Sequence, residues 1–281
     1  MRRNSSGRGA VFTAGLGFGV AAGVALGALV IAPNIPGAEN TADNSATSTQ
    51  RPAESSEPAP TSAQPAEEDP AEDVAGVLAD RPVLVFRTAD ADEAAQEELQ
   101  GVLAASGAID AGTITLNDKY FASDAEGVTK VSELLATALM LNPETGEPEA
   151  PTEDRARALQ TLRDTGFIDY ADGTILPTQG VLLLTGEASD ENTVANQARF
   201  LDAMDRAGGA TVAAAPVGSA EDGALIAALR NDDARTSTVD SFGEPWAAAS
   251  VVCALAQRID GESGHYGAAD SADARSPEPR G

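Results

Sequence analysis

From residue 74 onward, apolar positions alternate between two spacings. Short continuous runs such as Pro82-Val83-Leu84-Val85-Phe86 and Gly180 to Leu184 read as strands buried on both faces. Between such runs, apolar residues recur at helical spacing. Asp92 to Ser106 predicts a helix with Ala95, Leu99, Val102 and Leu103 inward and Gly107 as its stop. Ala125 to Leu141 predicts a second, buried through Val128, Val131, Leu134, Leu135 and Leu139. A third starts at a capping Thr152, turns Ala156, Leu159 and Leu162 inward and stops at Gly166. Asp190 to Ala207 buries Val194, Ala198, Leu201 and Met204, and Gly208-Gly209 ends it. Ala220 to Leu229 and Pro245 to Ile259 complete the helices. Thr113 to Leu116, Thr211 to Ala215 and Ser237 to Asp240 complete the strands. Alternation of this kind predicts an α/β fold: a three-layer, Rossmann-like domain over residues 74–267 with about five mostly parallel strands and right-handed crossovers. Ligands in such a domain bind beyond the carboxyl ends of the strands, here Arg87-Thr88, Thr185-Gly186, Pro216 and Asp240.

The flanks read differently. Residues 10–32 carry no charged side chain and follow Arg2, Arg3 and Arg8 in the short stretch 1–9. As a helix they span roughly 35 Å, enough to cross a bilayer core of about 30 Å. The arginines place the N-terminus in the cytoplasm and everything beyond Pro33 outside. A cleaved signal peptide is the competing reading, disfavoured by the length of the apolar stretch and by Pro33 after the best cleavage position. The expectation is an uncleaved signal anchor. Gly15, Gly19, Gly23 and Gly27 form one smooth stripe on it, through which copies of the chain can assemble into a homo-oligomer. Residues 33–73 are rich in Pro, Ser, Ala and Glu and cannot bury enough surface to order, so they read as an acidic disordered linker. Residues 268–281 read as a disordered tail.

Composition narrows the chemistry. Among 281 residues, 18 are Lys or Arg and 44 are Asp or Glu, a formal net charge of −26, which excludes nucleic acid as a partner. One Cys excludes an internal disulfide framework, and one His excludes every motif that needs two. The first strand runs into Phe86-Arg87-Thr88-Ala89-Asp90, with no glycine-rich dinucleotide loop, so no organic cofactor is expected. Neither a P-loop nor a G-x-S-x-G elbow is present, and no nucleophile adjoins a base; the chain does not read as an enzyme. His265, in Gly264-His265-Tyr266-Gly267, is either a metal ligand or part of a structural turn. Cys253, among apolar neighbours, is either a buried small hydrophobe or a soft ligand for Cu(I). Met140 and Met204 fall on buried helical stripes. Asp90, Asp92 and Glu93 read as helix-start carboxylates, with a weak cation site as the alternative.

Several segments, in order, carry a family likeness: Gly23-Val24-Ala25-Leu26-Gly27, Val83-Leu84-Val85-Phe86-Arg87-Thr88, residues 159–168 (LQTLRDTGFI), Ser237-Thr238-Val239-Asp240 and Gly264-His265-Tyr266-Gly267. Together they resemble the mycobacterial copper transport protein B (MctB) family of actinobacteria. The resemblance implies copper as the transported ion and a role in copper efflux or tolerance across the envelope. It also makes His265 the first candidate ligand and Cys253 the second. A non-catalytic envelope adaptor is the alternative reading. The chain departs from the family where a helical, coiled-coil-like stretch follows the anchor, because residues 33–73 are Pro- and Ser-rich instead. The family's description as an outer-membrane channel also sits poorly with a chain that is 4% aromatic and whose short strands alternate with helices, since a barrel needs alternating strands of about ten residues with aromatic girdles.

Overall fold

The computed structural model describes residues 74–187, 190–232 and 234–278. The expected anchor, its glycine stripe and the linker lie outside these residues. No helix among the described residues is long and apolar enough to cross a membrane.

One sheet of seven strands organises the domain: β1 Pro82–Thr88, β2 Ile109–Leu116, β3 Ile168–Tyr170, β4 Gly180–Leu184, β5 Ala210–Ala214, β6 Ser237–Val239 and β7 His265–Tyr266. Their order is β3-β2-β1-β4-β5-β6-β7. All neighbours are parallel except β2 and β3, where Leu116 faces Ile168. The helices are α1 Glu93–Ala105, α2 Asp118–Phe121, α3 Ala125–Leu139, α4 Thr152–Asp164, α5 Glu191–Arg206, α6 Leu225–Asn231 and α7 Ala247–Ile259.

Strand alternation sorts the core into two layers. Leu84, Phe86, Val181, Leu183 and Ala213 face the helices α2 to α6. Val83, Val85, Leu182, Leu184, Val212 and Val239 face α1, α7 and the entry segment with Val74 and Leu78. Phe86 meets Phe200 of α5 edge-on, with ring centroids 4.7 Å apart. The result is the expected three-layer α/β domain, with more strands than the sequence suggests. Strands β3 and β7 have three and two residues, too few to show a period, and exist through pairing with β2 and β6. Strand β2 begins at Ile109, earlier than expected, beside an irregularity in its register with β1.

The crossovers do not all share one hand. The chain steps in the same direction along the sheet from β4 to β5 to β6 to β7. Helices α5 and α6 cover one face on the way, whereas α7 crosses on the other. Without α7 there, the second face of β4, β5 and β6 would lack most of its apolar cover, so burial outweighs the usual handedness rule for a last strand of two residues.

Local corrections follow from geometry. Thr152 does not cap α4: the cap position is Pro151, without a side-chain hydrogen bond, and Thr152 is the first helical residue. Ala156 and Leu134, expected inside, are exposed, and the buried face of α3 is closed by Ser132. The helix expected from Ala220 splits into a 3-10 turn, Val217–Ala220, and α6, because Gly223 interrupts it at φ +87°.

Residues 268–278, expected to be disordered, pack on the domain. The Ala268 and Ala269 amides donate to the Asp240 carboxylate at 2.8 and 3.3 Å. The Asp273 amide donates to the His265 carbonyl at 2.7 Å, Tyr266 and Ala274 form a bridge, and Arg275 lies 4.6 Å over the Trp246 ring. This polar segment is held through its backbone, through side-chain hydrogen bonds of Ser271, Asp273 and Ser276, and through one cation–π contact, none of which composition reveals.

Candidate functional site

From β1 the chain turns toward β2, and from β4 it turns toward β5, on opposite sides. The loops leaving β1 and β4 therefore diverge and open a crevice at the carboxyl end of the sheet, the usual ligand position in open α/β folds. A cleft of about 620 Å³ lies there. Thr88, Ala89 and Asp90 line it from the end of β1, Glu187 from the end of β4, and Asp118, Phe121 and Ala122 from α2. Asp190, Asn192, Thr193 and Gln197 line it from the start of α5.

Gly186 makes the approach of the two loops possible. A Cβ there would fall 2.5 Å from Oδ2 of Asp90. The same device recurs next door, where a Cβ on Gly218 would fall 2.7 Å from Oε1 of Glu187.

The side-chain donors of this lining are already engaged. The Thr88 hydroxyl donates to Oδ1 of Asp90. Asn192 donates to the Phe121 carbonyl at 2.8 Å. The Thr193 amide donates to Asp190 at 2.9 Å, which makes Asp190 the cap of α5. Bonds from the Thr193 hydroxyl and amide hold the Asp190 carboxyl below its ordinary pKa. Gln197 is buried, and its Nε2 donates to the Thr185 hydroxyl at 2.9 Å. Its Oε1 makes no hydrogen bond. The lining carries four carboxylates and a buried amide oxygen, with no Lys, Arg or His among the lining residues described. A phosphate at α5 would meet Asp190 already at the helix N-terminus, so the cleft suits a ligand that brings positive charge and donors.

His265 and Cys253, the ligand candidates, lie elsewhere and apart. His265 is opposite Thr238 and Tyr266 opposite Val239. Val239 and Tyr266 belong to the layer under α7, where Cys253 also packs, so Thr238 and His265 point to the other face. Nδ1 of His265 is 3.0 Å from the Thr238 hydroxyl, which accepts from Nε of Arg230 at 3.1 Å. The sheet thus separates His265 from Cys253. No group of three or more His, Cys, Asp or Glu side chains placed to hold a metal ion occurs among the described residues.

Asp240, expected at a ligand-facing strand end, is turned inward. It is wholly buried and takes Arg230, the Ser241 hydroxyl and the amides of Ala268 and Ala269. Ser237 to Asp240 and Gly264 to Gly267 are neighbouring segments of one network. Asp90, Asp92 and Glu93 divide their tasks: Asp92 caps α1 through the Ala95 amide at 2.8 Å, Glu93 pairs with Arg87 at 3.6 Å, and Asp90 faces the cleft.

Sequence reasoning named Asp90 and the Thr185-Gly186 strand end but missed Gln197. The available signal was a polar residue on a buried stripe, in step with Val194, Leu201 and Met204.

Known proteins bear on the whole chain. The family described as copper transport outer membrane protein, MctB, matches residues 5–127 and 122–277. The copper transporter MctB of Mycobacterium bovis is 29% identical over 229 residues, which covers 68% of this chain and 71% of the relative. The protein of the same name from Mycobacterium tuberculosis gives the same values. That of Mycobacterium leprae is 27% identical over 230 residues, with the same coverage. The chain belongs to the MctB family.

Proposed function

We propose that the chain acts in copper efflux or copper tolerance, as a single-pass membrane protein whose α/β domain lies outside the cytoplasm. The observation that carries this reading is the extent of the family match, which runs from residue 5, ahead of the charge-free stretch 10–32, to residue 277. Relatives that match 68% of this chain are named copper transporters. Copper is then the transported ion. The acidic linker, residues 33–73, sets the distance of the domain from the bilayer, and the stripe of Gly15, Gly19, Gly23 and Gly27 joins copies of the chain. The strands of the domain belong to one sheet covered by helices, so any path across the membrane is built from the anchors of several copies.

Growth of a deletion strain on graded copper, with cell copper measured by elemental mass spectrometry, tests the proposal. Lower tolerance and raised cell copper are expected, restored by the full chain and not by one lacking residues 10–32. Unchanged tolerance together with unchanged cell copper would sink it.

The separation of His265 from Cys253 by the sheet favours a second reading, an envelope adaptor without metal chemistry. Capture of a stable partner set from membranes in copper-free medium, with no copper phenotype, would favour the adaptor.

A further inference from the structure

We propose that the groove between α4 and the segment after β3 binds a single-chain amphiphile with a carboxylate head, of the fatty-acid kind. The groove encloses about 410 Å³, within the range of small-molecule pockets, roughly 300–1,000 Å³. Its α4 side runs from Thr152 through Arg155, Ala156 and Leu159 to Arg163. Steps of three and four residues put these on one helix face, about 16 Å long. Leu139 of α3, and Ile175 and Leu176 after β3, complete its apolar lining.

Arg155 supplies the charge. Among the described residues, every other Lys and Arg side chain has a carboxylate, another hydrogen-bond acceptor or an aromatic ring as partner. The Arg155 side chain has none there, although it is half-buried and the chain carries a net charge of −26. Asp154, next to it in sequence, is spent on Arg157 at 3.0 Å, and neither lines the groove. At the other end, Arg163 is bound to Asp172 and lies 5.0 Å over the Tyr170 ring. The groove thus sets two guanidinium groups against one carboxylate, and the one left over is Arg155. Elsewhere the balance is reversed: the cleft between β1 and β4 and the groove over β2 and β3 carry carboxylates, with no cation among their described lining residues.

The stretch between the two arginines defines the rest of the ligand. Leu139 and Leu159 are buried, Ile175 is half-buried, and Leu176 is 46% exposed. An alkyl chain laid along it covers Leu176, and a carboxylate at its head meets the planar fork of Arg155. A metal ion or an alkylammonium group would be repelled there, and a dianionic phosphate would keep one charge unmatched. The Arg163–Asp172 pair is a polar end wall, so the tail is of medium length. Binding of this kind is independent of copper.

The test is calorimetric titration of the full chain in phosphatidylcholine nanodiscs with sodium decanoate, the heat from empty discs subtracted. Arg155→Gln removes the unmatched charge. Arg157→Gln removes the same charge from the same helix outside the groove. Saturable one-to-one binding is expected, weakened about tenfold or more by Arg155→Gln and less than about twofold by Arg157→Gln. Leu176→Ser is expected to weaken it as well, and decyltrimethylammonium, with the same tail and the opposite charge, should not bind. Decanoate should also slow amide hydrogen exchange over residues 152–163 in the wild type and not in Arg155→Gln. Equal weakening by the two arginine variants would overturn the proposal. So would saturation by decyltrimethylammonium as readily as by decanoate, or no saturation below about 1 mM decanoate.

Discussion

Arg230 and Asp240 form an ion pair inside the domain, with Nη2 and Oδ2 3.0 Å apart and side chains 5% and 0% exposed. Further hydrogen bonds surround the pair. Arg230 also donates to Thr238, to the Tyr266 carbonyl and to Ser271, and Asp240 receives the Ser241 hydroxyl and two backbone amides. The pair therefore joins α6, the end of β6, β7 and the C-terminal segment. Removing either partner leaves a buried charge alone, at a cost of about 3–5 kcal/mol. Arg230→Met and Asp240→Ala should each lower stability by that order in guanidinium denaturation. The double variant should not recover it, because the Ala268 and Ala269 amides still lose their acceptor. Full recovery would show that the amides contribute nothing.

Gly267 is bound to the same network. Its φ is +142°, and a Cβ there would stand 2.1 Å from Cγ of Asp240. Gly267→Ala should release the segment that follows before it unfolds the domain. Amide hydrogen exchange over residues 268–278 is expected to quicken sharply, while β1 and β4 keep their protection. Unchanged exchange in that segment would show that the chain avoids the clash by a local shift.

These two contacts mark where the sequence stops being readable. Val181 to Leu184 and the stripe of α5 are legible because burial on both faces, or on one helical face, repeats along the chain. Strands β3 and β7 are set by their partners. The docking of residues 268–278 is set largely by backbone amides, which every residue type except proline carries, and by single side-chain contacts of Ser271, Asp273, Arg275 and Ser276. Leu134 shows the opposite failure: a helical spacing suggests burial, but the neighbouring elements leave that side of α3 uncovered. The position of the cleft was readable from the strand ends. Its acidic lining was not, because that depends on which carboxylates the fold brings together.

Tyr120 predicts an alkaline limit to stability. It is fully buried, its hydroxyl is bonded to the Ser132 hydroxyl, and burial pushes its phenol pKa far up. An unfolded tyrosine ionises near pH 10. Below that pH both states hold the proton and the contribution is complete. Above it the unfolded state loses its proton while the folded state keeps it, so stability falls as pH rises. Tyr170 and Tyr266 are also shifted up, and they add to the same limb. Tyr120→Phe should cost about 1 kcal/mol at neutral pH, since Ser132 keeps its bond to the Val128 carbonyl at 2.7 Å. It should also shallow the fall of Tm between about pH 10 and 11.5. An alkaline limb of unchanged slope in this variant would assign the limit to other groups.

Copper binding gives the last test, because the sheet turns a question of affinity into one of independence. His265 has Nδ1 on the Thr238 hydroxyl, so ligation by this residue has to run through Nε2. An Nδ1–H donated to that hydroxyl would orient the ring for it, as second-shell acceptors do at metal sites. Cys253 is half-buried on α7, in the layer on the far side of the sheet. One ion cannot bridge two packed layers, since the protein–metal bonds span only about 2.0–2.3 Å. Within one chain, His265→Ala and Cys253→Ser should therefore change Cu(I) affinity additively, within about 0.5 kcal/mol, as distant sites do. The measurement is competition with a Cu(I) chelator for the wild type, both single variants and the double. A double variant no weaker than either single one would place both residues on the same ion. That ion would then have to lie between two copies of the chain.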